Sequence, residues 1–200
     1  SNLPYRQHLS KDKVMKELIR KHGIFKIGKQ KNIYLVLCSS IISQQLSTRV
    51  ADVIYQRFLT LFKTKTPKPK EILAIEDDKL RSIGLSFSKA RYIKNVCRFF
   101  IEQKITDARL HKMTNEEVFD LLTQIKGVGR WTTEMILMFA LERTDVFSIG
   151  DLGLQKAIVK LYDLKYDHKK ELLMKVEELS KNWQPFRTYA CLHLWKYVDD

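Results

Sequence analysis

The stretch "LLTQIKGVGRWTTEMILMFALERTDVFSIGD", residues 121–151, sets two glycines in three residues between two apolar runs and closes on an aspartate. Ahead of the glycines, Val118, Leu121, Leu122 and Ile125 recur at i, i+3, i+4 and i+7, the spacing of a helix ending at Gly127. Beyond Gly129 a second run carries Trp131, Met135, Met138 and Phe139, with Ile136, Leu137, Ala140 and Leu141 on its remaining face; such a helix is enclosed nearly all round. Gly127-Val128-Gly129 joins the two too tightly for side chains at the turn, because glycine permits positive φ and leaves the backbone bare. Bare N–H groups at the positive dipole end of the second helix suit a phosphate, and Lys126 and Arg130 flank the turn with cations. Such a turn would hold a nucleic-acid backbone without reading its sequence. An ordinary helix–helix loop with a glycine cap has the same pattern, and on these residues alone both readings stand.

Outward from this hairpin the periodicity stays helical. Val14, Leu18, Ile19 and His22 share a face of a segment that Ser10 is placed to cap and Gly23 to end. Residues 33–43 (IYLVLCSSIIS) are too continuously apolar for a surface helix and predict a buried central one. An amphipathic helix follows over 46–62, then Thr64–Lys70 (TKTPKPK), whose two prolines predict an exposed connection. Short helices are expected near 71–75 and 78–82, a longer one from a cap at Ser86 or Ser88 to about 103, and others near 152–162, 168–181 and 185–197. No repeat and no alternating strand–helix pattern occurs. The expected class is all-α.

Composition bounds the partners. Of 200 residues 44% are hydrophobic, enough for a sizeable interior. Lys and Arg number 36 against 23 Asp and Glu, a net charge of +13 that points to a polyanion, nucleic acid before an acidic membrane. Cys38, Cys97 and Cys191 are far apart and sit among apolar neighbours, as buried free thiols in a reducing compartment would. Their spacing suits neither a zinc site nor a four-cysteine iron–sulfur cluster. No signal-peptide pattern or membrane-length apolar run is present, so an intracellular protein without a membrane partner is expected.

At these residues a resemblance enters. "IKGVGRWTTEMILMFAL" followed by "DVFSIGDLGLQKAI" resembles the helix–hairpin–helix, Gly/Pro-rich, aspartate (HhH-GPD) DNA glycosylases, and above all their 3-methyladenine DNA glycosylase II branch. "IISQQLS" at 41–47, "IGLSFSKARYI" at 83–93 and "WQPFRTYACLHLWKY" at 183–197 resemble that branch in the same order, from about residue 30 to the last. The resemblance implies one 200-residue domain of two helical lobes with the active site in the cleft between them. It places the hairpin motif at about 115–142, a central lobe at about 44–128, and a second lobe in the N-terminal segment plus about 129–200. It also implies a monomer, in the cytoplasm of a bacterium or the nucleus of a eukaryote, acting on duplex DNA with alkylated bases. No cofactor is expected, although the hairpin carbonyls of several relatives hold a structural cation.

The family's catalytic aspartate falls on Asp151. Read without that context, an Asp before "LGLQKAI" is an N-cap; the roles are compatible, since helix N–H groups favour negative charge there. Gly150 stands where many relatives carry another acid. Relatives that also cut the strand carry a nucleophilic lysine directly after Gly-x-Gly-Arg; here that position is Trp131, which cannot attack a sugar carbon, so a glycosylase using water is expected. Trp131 and Trp195 match pocket aromatics of the branch, against the plainer reading of core packing. Met135 stands where some relatives carry another aromatic, and Tyr34 and Phe25 are further wall candidates. The "GLSFS" loop resembles the family's intercalating loop. Phe87 would be the wedge, with Ser86, Ser88 and Lys89 on phosphates; a buried Phe anchoring a helix start is the rival. Gln45 falls where the superfamily places a residue facing the vacated or opposing base, against a helix-packing glutamine. Lys126, Gly127, Val128, Gly129, Arg130 and Thr132 complete the expected DNA contacts.

The implied chemistry is hydrolysis of the N-glycosidic bond of a flipped alkylated purine, 3-methyladenine or 7-methylguanine. An ionised Asp151 would stabilise positive charge on the sugar or activate water, and a cationic base leaves without a general acid. A non-catalytic helix–hairpin–helix DNA-binding protein is the alternative; it would keep the glycine turn but need neither the aspartate nor the tryptophans.

Overall fold

The computed structural model describes residues 3–200. Among them are thirteen α-helices and one short 3-10 helix, with no sheet. The chain divides into two compact units, one comprising Lys29–Ile136 and the other the residues up to Gly28 together with Leu137–Asp200.

The Lys29–Ile136 unit is built on the apolar 33–43 run, which forms a helix over Ile33–Ser43 (α3 in chain order). Ile33, Leu35, Leu37, Cys38, Ile41 and Ile42 are buried, each large aliphatic contributing about 1.5–3 kcal/mol of burial. Around it stand α4 (Thr48–Thr60), α5 (Pro69–Ala74), α6 (Asp77–Ser82), α7 (Phe87–Glu102), α8 (Asp107–Lys112), α9 (Asn115–Leu122) and the start of α10 (Arg130–Phe139). The long α7 packs on α3, α5 and α6, while α3 also packs on α4. Asn32, left-handed at φ 58°, makes no side-chain cap of α3; Asp107 of α8 does so instead, accepting from Asn32 N at 2.7 Å and Ile33 N at 3.0 Å. The TKTPKPK stretch, expected to be exposed, buries Pro67, whose carbonyl accepts from the Tyr34 hydroxyl at 2.9 Å.

The other unit holds α1 (Leu3–Leu9), α2 (Lys13–His22), α11 (Leu152–Tyr162), α12 (Lys169–Ser180), the 3-10 turn Lys181–Trp183 and α13 (Arg187–Asp199). The last of these packs on α2 and α11. Asp12, not Ser10, caps α2: its Oδ1 accepts from Val14 N and Met15 N at 2.8 and 3.1 Å. Its Oδ2 accepts from the Tyr162 hydroxyl at 2.8 Å and from Trp183 Nε1 at 3.1 Å, so one carboxylate both starts a helix and satisfies two buried aromatic polar tips. Burial and this neighbouring acid push the Tyr162 hydroxyl's pKa up. A second buried polar chain runs from Phe25 N to the Tyr5 hydroxyl (2.8 Å), on to His193 Nε2 (3.2 Å), and from His193 Nδ1 to His22 Nδ1 (3.3 Å). Phe25 packs edge-on against the His193 ring within this cluster.

Other differences from the sequence pattern are local. The helix before the glycines ends at Leu122, and Thr123–Lys126 form turns that keep Ile125 buried. The short α1 and α8 carried too few periods to be read. The unit boundaries fall at Gly28 and Ile136 instead of near 44 and 128, because α3 belongs with α4 and α7. The three cysteines are buried and none is in a disulfide.

Candidate nucleic-acid interface and active site

The hairpin turn is built against α7. Gly127 has φ +107°, and a Cβ there would lie 2.3 Å from Cγ of Tyr92, so both the backbone angle and the neighbouring ring require glycine. Asn95, a turn further along α7, donates to the Lys126 carbonyl at 3.1 Å. Val128 points inward and is buried, which leaves only its backbone for a partner. At Gly129 the space a side chain would fill is open, and α10 begins with the next residue. Open space, a helix start and an exposed Lys126 are what a backbone phosphate needs.

Two of the cations and one hydroxyl depart from expectation. The Arg130 guanidinium lies over the Phe119 ring at 4.4 Å and 3.7 Å from Oε2 of the buried Glu134, so its charge is partly committed within its own unit. Thr132 is buried by the packing of α10 and offers no side chain to DNA. Lys89 does not extend to solvent: its Nζ donates to the carbonyls of Ile42 and Gln44 at 2.8 and 2.6 Å.

A cavity of about 640 Å³ in this unit gathers Gln44, Gln45, Ser86, Ser88, Lys89 and Trp131 among its lining residues. Trp131, on the first turn of α10, is 48% exposed, which favours a stacking platform over core packing. Phe87 is 58% exposed, against the buried-anchor reading, and the Arg81 guanidinium sits 3.6 Å from its ring centroid. Ser86 is the N-cap of α7, its Oγ accepting from Lys89 N at 3.1 Å. Gln45 is exposed and left-handed at φ 60°. Tyr34 packs its ring on Phe100 and donates its hydroxyl to the Pro67 carbonyl. Met135 is half-buried on α10.

In the other unit, Asp151 and Trp195 come together. Asp151 caps α11, its Oδ1 accepting from Leu154 N at 2.9 Å and from Trp195 Nε1 at 3.1 Å. The Trp195 ring is also near Phe139, at 6.3 Å between centroids. The loop before Asp151 is fixed at several points. Arg187 binds Asp145 with both Nε and Nη2, at 2.8 and 3.0 Å. Thr188 Oγ1 donates to Arg143 O and accepts from Val146 N. The buried Gln155 donates to Ile149 O at 2.7 Å, and Asp151 N donates to Ser148 O. A Cβ at Gly153 would stand 3.1 Å from Asp151 Oδ1, so the glycine inside the first turn of α11 leaves room for the carboxylate. Gln155, Arg187 and Gly153 were not singled out by the sequence reading; only Gly153 carried a signal, an isolated glycine within a helical pattern.

A family model of HhH-GPD superfamily base excision DNA repair proteins matches residues 38–185. The chain belongs to this superfamily. Among HhH-GPD relatives, DNA-3-methyladenine glycosylase 1 of Schizosaccharomyces pombe is 34% identical over 195 residues, covering 94% of this chain and 84% of its own. The putative DNA-3-methyladenine glycosylase of Bacillus subtilis is 31% identical over 174 residues, and there the match spans only 60% of the relative's length. Of solved HhH-GPD structures, the S. pombe 3-methyladenine DNA glycosylase in complex with abasic DNA superposes with TM-score 0.85 at 32% identity, covering 98% of this chain and 97% of that one. The DNA-3-methyladenine glycosidase of Bacillus halodurans gives TM-score 0.82 at 36% identity over 96% and 87% of the two chains. No helix among the described residues is long and apolar enough to cross a membrane.

Proposed function

We propose that this protein is a monofunctional DNA glycosylase of base excision repair that hydrolyses the N-glycosidic bond of alkylated purines in duplex DNA. The observation that carries the reading is the Asp151 carboxylate, held at the start of α11 by two donors on one oxygen. A carboxylate fixed in this way costs no reorganisation when positive charge develops on a sugar, which is the requirement for electrostatic stabilisation of an oxocarbenium-like state. It can also orient or deprotonate the attacking water. The electron-rich face of the exposed Trp131 suits a cationic base such as 3-methyladenine or 7-methylguanine, whose positive charge makes it a good leaving group. The names of the relatives support the same substrate class. Trp131 in place of the lysine nucleophile supports hydrolysis without strand cleavage.

A duplex carrying a single 7-methylguanine tests this. Free base is released, the strand stays intact until alkali is added, and borohydride traps no covalent adduct. Asp151→Asn lowers the single-turnover rate by about 10²–10³-fold while duplex binding persists. Base release that survives this substitution unchanged refutes the assignment of Asp151, and a trapped adduct refutes the monofunctional reading.

A further inference from the structure

Lys89 occupies a position that its own helix does not favour. It is the third residue of α7, where the dipole is positive and an acid is the stabilising choice. Its ammonium instead reaches the other polarity, the C-terminal end of α3, where the carbonyls of Ile42 and Gln44 accept from it at 2.8 and 2.6 Å. Burial lowers its pKa from the usual lysine value. The carbonyls it binds lead directly into the turn at Gln45, which is left-handed at φ 60° and is followed by Ser47, the N-cap of α4. On its own side, the Lys89 N–H closes the Ser86 cap next to the exposed Phe87. One residue thus ties together two loops across 45–47 residues of chain, and both line the same cavity.

We propose that Lys89 is a positioning residue that staples the Gln44–Ser47 turn to the Ser86–Lys89 cap, so that Gln45 and Phe87 are held as one rigid edge against the duplex, and that it is not a phosphate ligand. The proposal rests on the DNA glycosylase reading for its functional consequence, though not for its structural one. Two of the three ammonium protons are spent on carbonyls, which leaves at most one for any ligand. A staple of this kind acts at the step in which a base is levered out of the stack. Its loss is therefore felt most on a paired lesion and least on one already unstacked.

The test compares wild type, Lys89→Met and Lys89→Arg, each as the full chain. In Lys89→Met, the affinity for undamaged duplex stays within about 2-fold of wild type and the slope of log K against log[salt] is unchanged, whereas loss of a phosphate contact lowers that slope by about one. Excision of 7-methylguanine from a fully paired duplex falls about 10-fold or more, the effect of losing hydrogen bonds from a charged donor. Most of that loss disappears when the lesion sits in a bulge, and Lys89→Arg, which can still donate to both carbonyls, recovers part of it. Amide exchange at residues 44–47 speeds about 10-fold in Lys89→Met while that of α10 does not change. A reduced salt slope, an equal loss on paired and bulged substrates, or unaltered exchange at 44–47 overturns the staple. Failure of the wild type to release any alkylated base strikes the function alone, because the exchange measurement decides the staple independently. Should Lys89→Met not fold, Lys89→Arg carries the same comparison: full retention of duplex binding with slowed, bulge-rescued excision supports the staple, and a lowered salt slope overturns it.

Discussion

Replacing Gly127 with alanine isolates the physical basis of the hairpin. Two separate costs are expected. At φ +107° a Cβ-bearing residue is held outside its allowed regions, which costs about 1–3 kcal/mol. The same Cβ would also lie 2.3, 2.6 and 2.8 Å from Cγ, Cβ and Cδ1 of Tyr92. These atoms form the root of the ring and not a flexible tip, so α7 or the turn must shift, an overpacking cost of about 1–3 kcal/mol. Together they amount to roughly 2–6 kcal/mol against a total stability of about 5–15 kcal/mol for a typical domain. The melting temperature should fall by about 10 °C in a chain of this size. Urea unfolding of Gly127→Ala, Tyr92→Ala and the double variant separates the terms. In the Tyr92→Ala background the contacts with Cγ and Cδ1 are gone and only the one with Cβ remains, so the cost of Gly127→Ala shrinks towards the backbone term of about 1–3 kcal/mol. Duplex affinity should follow the same order, lowest in Gly127→Ala and partly restored in the double variant. A cost below about 1 kcal/mol, or an equal cost in both backgrounds, refutes the claim that Tyr92 and the positive φ jointly demand glycine.

Trp195→Phe keeps an aromatic ring beside Phe139 but removes the donor to Asp151 Oδ1 at 3.1 Å. With hydrogen bonds to charged groups worth about 1.5–3 kcal/mol, single-turnover excision should slow about 10-fold or more with KM unaltered. A change in KM alone would return Trp195 to a base-contacting role. For pH, the fully buried His193 has its pKa pushed down to about 4 by burial and by neighbouring His22. Its pKa rises to about 6.5 on unfolding, so the unfolded chain binds the extra proton between these values; the contribution is fully present above pH 6.5 and is lost as pH falls towards 4, roughly 3 kcal/mol in all. His193→Gln should therefore flatten the dependence of stability on pH between 7 and 4.5 in urea melts, and an unchanged slope would refute the assignment.

What the sequence discloses and what it hides follow from the range of the interactions. α4, α7, α10 and α11 are legible because each repeats its apolar positions over several turns, α3 because its apolar run is continuous, and Ser86 because it caps by a contact within three residues. The seven-residue α1 and six-residue α8 lack that repetition, and Ser10 reads as the cap of α2 because the aromatic partners that hold Asp12 there lie 150 and 171 residues away. Lys89 reads as a phosphate contact because it adjoins the loop that resembles an intercalating one, but a flexible four-carbon stem lets its charge act 45–47 residues away. The partner of Tyr34 is hidden for a similar reason, since Pro67 lies in a stretch that reads as an exposed connection.

The residue that local pattern identifies and the residues that make it useful are accordingly different sets. Asp151 is visible from its motif because an N-cap and the helix after it are neighbours in the chain. Its orientation depends on Trp195, 44 residues away, and its loop on Arg187 and Thr188, which bridge 42–45 residues to Asp145, Arg143 and Val146. Each of these is a single polar side chain on α13, a helix whose own pattern shows only that it is largely buried. A carboxylate displaced by about 1 Å can lose about 10²-fold in rate without any change at the reacting groups. Substitutions on α13 that spare folding should therefore lower activity as surely as changes beside Asp151, although of these residues the sequence pattern singles out Trp195 alone.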